Sequence, residues 1–245
     1  MLADLVDLVL PRRCVGCGRA AAGLCTECLA RAEPAAVSCA PVPVHAGSSY
    51  GGPVRAAILR YKERGRRDLA GPLSVLLARA VLAVVAQHSG RSGVRPVLVA
   101  VPSARSIAAA RGGDHVARLA RLAGARAGVP AAPGGLRLVR GKRDSAGLDV
   151  RARAANLAGV FAAAPARGEM AAVIVDDIVT TGATLREAVR ALACAGWPVL
   201  GAAVVAATPR RPGVPPNHLP PTPGSRAVVH SSDVAGPLAA HRHPV

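Results

Sequence analysis

The chain has 245 residues, 51% of them hydrophobic but only 2% aromatic. That is enough for one sizeable α/β domain with an Ala, Val and Leu core plus a small appendage, and too few aromatics for strong base stacking on nucleic acid. The formal charge of +17 rests almost wholly on arginine, since Lys62 and Lys142 are the sole lysines; it favours polyanionic partners such as pyrophosphate or nucleic acid, although an Arg- and Ala-rich genome would give the same balance.

Leu2, Leu5, Val6, Val9 and Leu10 recur at helical spacing, which predicts a short amphipathic helix before Pro11. The same stretch carries Asp4 and Asp7, has no basic opening and is too short to span a bilayer, so a secretory signal is not expected and a cytoplasmic location is. Next come Cys14-Val15-Gly16-Cys17 and, after seven residues, Cys25-Thr26-Glu27-Cys28. Two C-x-x-C pairs bring four thiolates together tetrahedrally, so Cys14, Cys17, Cys25 and Cys28 read as ligands of a structural Zn²⁺. In a cytoplasmic chain a metal is favoured over disulfides, and a segment with little core would be held by it. Redox-active thiols and a site that has lost its metal are the alternatives. Cys39 and Cys194 read as packing cysteines, the latter in the apolar face of a helix.

Residues 32–53, rich in Pro, Gly and Ser, predict a linker with one strand around Val42 to Tyr50. From Val54 to Gly65 a helical pattern ends in Arg60, Lys62, Arg64, Arg66 and Arg67, either a solvated helix end or a rim facing an anion. A long helix is expected from Asp68 to about His88; its apolar run from Leu73 to Ala86 is interrupted by Arg79 and reads as packed, so no membrane span is expected. Val97–Val101 is a buried strand stopping at Pro102. Asp114 is placed to cap the helix that follows, and His115 reads as a surface or capping histidine, with catalysis as the alternative. Arg137 to Arg143 is a basic strand or loop, and Arg151, Arg153 and Asn156 fall on a short helix ending near Phe161. After a central motif, Val199–Ala206 reads as a further strand. From Pro209 prolines crowd a segment without apolar periodicity, predicting a disordered tail.

The central motif is Val173-Ile174-Val175-Asp176-Asp177-Ile178-Val179-Thr180-Thr181-Gly182-Ala183-Thr184-Leu185. Three β-branched residues read as a short strand buried on both faces of a parallel sheet, and ligands of such sheets bind at strand carboxyl ends. Gly182 lets backbone approach a ligand, and the amides opening a helix from Leu185 to about Ala195 favour a phosphate. The two carboxylates suit sugar hydroxyls or a hydrated Mg²⁺. A strand-end turn followed by a capped helix is the alternative. No Gly-Lys-Ser/Thr follows, so the stretch is not a Walker loop.

This stretch resembles the phosphoribosyl-pyrophosphate (PRPP) motif of type I phosphoribosyltransferases. The resemblance implies that Asp176 and Asp177 take the ribose hydroxyls and that Thr180, Thr181, Gly182, Ala183 and Thr184 hold the 5′-phosphate. It also implies that Ser103, Ala104 and Arg105, after an early strand, form the pyrophosphate loop. The expected architecture is α/β, a type I phosphoribosyltransferase fold with a parallel sheet flanked by helices. Residues 1–40 would hold the helix and zinc ribbon, 41–208 the phosphoribosyltransferase-like domain and 209–245 the tail.

The order of four-Cys ribbon, Tyr61-Lys62 helix and PRPP motif is similar to the ComF family of competence-associated proteins. That pattern commonly has R-G-F-N-Q where this chain has Arg111-Gly112-Gly113-Asp114-His115, and a Thr and a Gln upstream of G-L where it has Asp144-Ser145-Ala146-Gly147-Leu148. The resemblance implies binding of PRPP or a nucleotide with Mg²⁺. It further implies a role in DNA uptake, with single-stranded DNA and competence or recombination proteins as partners. The alternative is a metabolic transferase passing ribose 5-phosphate from PRPP to a nitrogen acceptor. A glutamine-dependent amidophosphoribosyltransferase is not expected, because Cys14 belongs to a metal-spaced pair and no glutaminase domain fits before it.

Overall fold

The computed structural model describes residues 13–90, 93–103, 113–139, 157–166 and 168–209. All of these lie in one unit, Met1–Val214; the second unit, Pro215–Val245, falls wholly outside them. The expected N-terminal helix, Ala104, Arg105, Arg111, Gly112, Asp144–Leu148 with the helical residues Arg151, Arg153 and Asn156, and the Pro-rich tail beyond 209 also lie outside the described residues.

In chain order the elements are α1 (Thr26–Ala30), β1 (Ala35–Val37), β2 (Val44–Ala46), α2 (Gly52–Glu63), a 3-10 turn (Arg67–Leu69), α3 (Ala70–Ala86), β3 (Arg95–Ala100), α4 (His115–Ala127), β4 (Leu136–Leu138), β5 (Phe161–Ala163), β6 (Met170–Val179), α5 (Ala183–Cys194) and β7 (Val199–Ala207). Five strands form one sheet in the order β1-β2-β7-β6-β3. Every neighbouring pair is parallel except β1 with β2. β4 and β5 make a separate antiparallel pair.

The expected short central strand is ten residues long and carries both aspartates and Val179 before the loop. Its middle, Ala171–Val175, is fully buried. Successive side chains point to opposite faces of a strand. Val173 and Val175 accordingly join a cluster with α3 and α4, whereas Ala172 and Ile174 join one with α5. The core is built from Ala, Val and Leu on both sides. The segment Arg67–Ala86 is apolar enough to cross a bilayer by length and composition. Leu73, Leu76, Leu77, Val81 and Val84 are all buried, so this helix is a core helix of the domain.

The helix expected to end near Phe161 lies, with Arg151, Arg153 and Asn156, outside the described residues except for Leu157, which is helical. Phe161 opens β5, paired with Leu138, and its ring is buried beneath α5. Its N–H donates to the buried Glu187, which also receives both Nε and Nη2 of Arg190 at 2.7 Å. A side chain from α5 thus ties down the first residue of β5.

The crossover geometry decides where a ligand would bind. The chain leaves β3 for α4 on one face of the sheet and leaves β6 for α5 on the other. β3 and β6 are adjacent and in register, with Ala100 opposite Val175. Their carboxyl ends therefore flank a point where consecutive connections diverge, which is where open α/β sheets form a crevice.

Candidate functional site

At the end of β6 the two aspartates have different surroundings. Asp176 is half-exposed, and its Oδ1 accepts the N–H of Asp177 at 2.8 Å. Asp177 is only 5% exposed. A buried carboxylate needs compensating partners. Two arrive from different helices: Lys62 Nζ of α2 lies 2.8 Å and His115 Nε2 of α4 lies 2.7 Å from the same oxygen, Oδ2. Burial opposes ionisation of Asp177, but the His115 hydrogen bond and the Lys62 charge outweigh it and hold its pKa at about 2. An ionised carboxylate only accepts, so His115 Nε2 carries the proton in this contact.

His115 is locked from every side. Tyr61, the neighbour of Lys62, donates its hydroxyl to the His115 carbonyl at 3.2 Å and meets the imidazole edge-on, ring centres 6.2 Å apart. Burial pushes the Tyr61 phenol up. On the far side His115 Nδ1 faces Ser103 Oγ at 3.3 Å. Asp114 caps α4 as expected, its Oδ1 accepting the N–H groups of Val116 and Ala117, while Oδ2 accepts the N–H of Ser103 at 2.7 Å. The loop after β3 and the acidic end of β6 are thus joined through the first turn of α4. Ser103 belongs to this constellation; Ala104 and Arg105 lie outside the described residues.

Two expectations change here. His115 is a buried partner of Asp177 and not a surface histidine. The basic end of α2 is neither simply solvated nor an open rim: Lys62 turns inward, Arg60 donates to the Val15 carbonyl at 3.3 Å and Arg66 forks onto Asp68. Buried charge on β6 is what pulls Lys62 in.

Beyond β6, Thr180, Thr181, Gly182, Ala183 and Thr184 follow as a tight turn into α5, which begins two residues earlier than expected. Gly182 has φ +75°, the left-handed region, and a Cβ there would lie 2.3 Å from the Cys39 carbonyl oxygen. Arg186 Nη1 staples the loop by donating to the carbonyls of Cys39 at 2.5 Å and Thr181 at 3.0 Å. Cys39 is therefore packing behind the turn. Cys194 departs from its expected place, since it is exposed at the last residue of α5 near Arg190. The first N–H groups of α5 have no acceptor within the helix, and that of Ala183 donates to Thr181 Oγ1 at 3.4 Å; a helix start of this kind suits an anion.

The four predicted metal ligands converge. The sulfurs of Cys14, Cys17, Cys25 and Cys28 all lie within 4.8 Å of one another, Cys17 and Cys25 at 3.6 Å. A Zn–S distance of roughly 2.3 Å implies sulfur–sulfur edges of roughly 3.8 Å, so the donor set fits zinc in number, softness and spacing. The N–H groups of Gly16 and Cys25 point at Cys14 Sγ from 3.4 and 3.3 Å. Burial opposes the Cys14 thiolate, but these and the Cys17 N–H outweigh it and bring its pKa down to about 6. Burial and the neighbouring thiols push Cys28 up to about 12; a divalent cation would favour all four thiolates. Gly16 is required by close approach, since a Cβ would lie 2.7 Å from Pro53 of α2 and 2.9 Å from Cys28 Sγ.

Residues 139–219 match the family model of the phosphoribosyl transferase domain. The chain carries a phosphoribosyltransferase domain. The match encloses β5, β6, α5 and β7 and so covers the acidic pair and the threonine turn; β3 with Ser103, α2 with Lys62 and α4 with His115 lie before it. No curated protein matches the chain. Beside this domain stands the cysteine cluster, and the sheet is mixed α/β, mostly parallel and flanked by helices.

Lys62 and His115 are the functional candidates that sequence reasoning undervalued. Their signals existed: Tyr61-Lys62 was part of the resemblance, and Asp114-His115 is where the chain departs from the family pattern.

Proposed function

We propose that this protein binds a phosphoribosyl ligand, PRPP or a nucleotide, at the crevice between the ends of β3 and β6. Asp176 and Asp177 would take the ribose hydroxyls, Thr180 to Thr184 the 5′-phosphate, and Ser103 to Arg105 the pyrophosphate. The observation that carries this reading is the adjacency of the acidic end of β6, the glycine-gated turn into α5 and Ser103 at one divergence point of the sheet. Mg²⁺ fits the half-exposed Asp176 and would bring neutralising charge to the pyrophosphate. The protein would contribute orientation: two fixed carboxylates, amides aimed at one phosphate, and Asp177 kept ionised by its partners.

The order of cysteine ribbon, Tyr61-Lys62 helix and phosphoribosyl motif supports a finer assignment to the ComF type, cytoplasmic, acting in DNA uptake with single-stranded DNA and recombination proteins as partners. On this reading residues 1–40 form the ribbon unit and 209–245 a tail. Titration calorimetry with Mg²⁺ tests the site: PRPP should bind to the wild type and not to Asp177→Asn. Retention of neither PRPP nor a nucleotide by the wild type would refute the site. Release of pyrophosphate on adding an amine or base would make the protein a transferase. Loss of single-stranded DNA binding in Cys25→Ser but not in Asp177→Asn would put the DNA partner on the ribbon.

A further inference from the structure

We infer that Lys62 and His115 are positioning residues of the phosphoribosyl site: together they clamp one oxygen of Asp177 and leave the other for a ribose hydroxyl. This rests on the proposed ribose role of Asp177, but no part of it follows from the motif, which contains neither residue. Both contacts fall on Oδ2, at 2.8 and 2.7 Å, and no described residue bonds to Oδ1. A carboxylate gripped on one oxygen by two donors from separate helices cannot spin about its last torsion. It presents the remaining lone pairs in a fixed direction before ligand arrives, so the ligand bears less of the ordering entropy.

The two donors are themselves fixed. His115 is held by Ser103 at Nδ1 and by Tyr61 at its carbonyl, and its N–H faces the carboxylate. Lys62 is one residue from Tyr61 on the same turn of α2, with its side chain 26% exposed against 9% for His115. The charged or titratable groups about Asp177 are Lys62 and Tyr61 from α2, His115 from α4 and Asp176 on β6 itself, while Asp114 and Arg118 act on Tyr61. Two donors at one oxygen are more than neutralisation of a single carboxylate needs, and this excess is what orientation accounts for.

The test compares PRPP with ribose 5-phosphate, each with Mg²⁺, by calorimetry on the full chain of the wild type, Lys62→Met, Lys62→Arg, His115→Gln and Asp177→Asn. Positioning through Asp177 predicts that Lys62→Met weakens both ligands alike, by about ten- to a hundredfold, the range for a lost hydrogen bond to a charged group. Lys62→Arg restores most of the affinity. His115→Gln, whose amide N–H can still donate to Oδ2, loses about tenfold or less. A merely structural lysine would lower the melting temperature without this equal loss for both ligands and without rescue by Lys62→Arg. Equal affinity of Lys62→Met and wild type for both ligands would overturn the inference. So would loss confined to PRPP, which would mean that Lys62 touches the pyrophosphate directly. Should the wild type bind neither ligand, the phosphoribosyl reading itself falls, an outcome distinct from both.

Discussion

Adding one methyl group at Gly182 gives the sharpest test of the turn geometry. Two costs combine there. A left-handed φ of +75° strains any residue with a Cβ, by about 1–2 kcal/mol. The new carbon would also sit 2.3 Å from the Cys39 carbonyl oxygen and 2.8 Å from its sulfur, so backbone must move by an ångström or so; overpacking of this kind costs about 1–3 kcal/mol. Gly196 supplies the control, for it has φ +80° and nothing within 4 Å of its absent Cβ. Gly196→Ala should therefore show the strain alone, and Gly182→Ala both terms, about 2–5 kcal/mol in all. For a domain of this size that lowers the melting temperature by about 5–15 °C, measured by circular dichroism. Cys39→Ala in the Gly182→Ala background should recover only the sulfur part, because the closest atom is backbone. If Gly182→Ala and Gly196→Ala melt together and PRPP affinity is unchanged, the turn is not packed as described and the cradle argument fails with it.

Acid stability follows from Asp177. Its pKa is depressed in the folded protein, so its contribution is complete above the unfolded value of about 4 and is lost as pH falls towards about 2. The stability gap between wild type and Asp177→Asn, read from urea unfolding, should shrink by about 2 kcal/mol between pH 5 and pH 2.5; a gap that stays constant would contradict the clamp. Chelation tests the cysteine cluster: a strong chelator at neutral pH should release one zinc per chain. Structural zinc makes about 10–16 kcal/mol available, so loss of even a third should lower the melting temperature by about 10–20 °C. A protein that contains no zinc as purified and binds none on reconstitution would remove the metal reading.

What the sequence made legible was local and periodic. Val173-Ile174-Val175 is β-branched and apolar throughout and is followed closely by a glycine turn, which suits a short strand buried on both faces. The paired C-x-x-C spacing is decided by a few covalent links, and Gly182 by the turn it permits. Illegible were contacts made across long separations. Lys62 and Asp177 meet only because α2 and the end of β6 pack together, and a lysine pattern at a helix end reads as solvated until the buried anion opposite is known. His115 is similar: its short-range signals, an Asp cap before it and a helix after it, are those of a surface helix start. β5 is illegible for the same cause, since Phe161 is held as a strand residue by Leu138 across the pair and by Glu187 from α5.

The same helix joins the two sites. α2 meets the cysteine knuckle at its first turn, where Pro53 leaves no room for a Cβ on Gly16, and again at Arg60, which donates to the Val15 carbonyl. One residue later Tyr61 grips the His115 carbonyl, and Lys62 reaches Asp177. Cys14, Leu24, Cys28 and Ala32 share one buried cluster with Val54, Ala57, Ile58 and Tyr61, so the knuckle is continuous with the core that sets the direction of α2. A 12-residue helix is stiff over its length, about 18 Å at 1.5 Å per residue. Small rotations at the knuckle end would therefore reach Lys62 undiminished. A charge contact of 2.8 Å tolerates little of that before it weakens. The cysteine knuckle and the Lys62–Asp177 contact therefore lie on one stiff helix, α2.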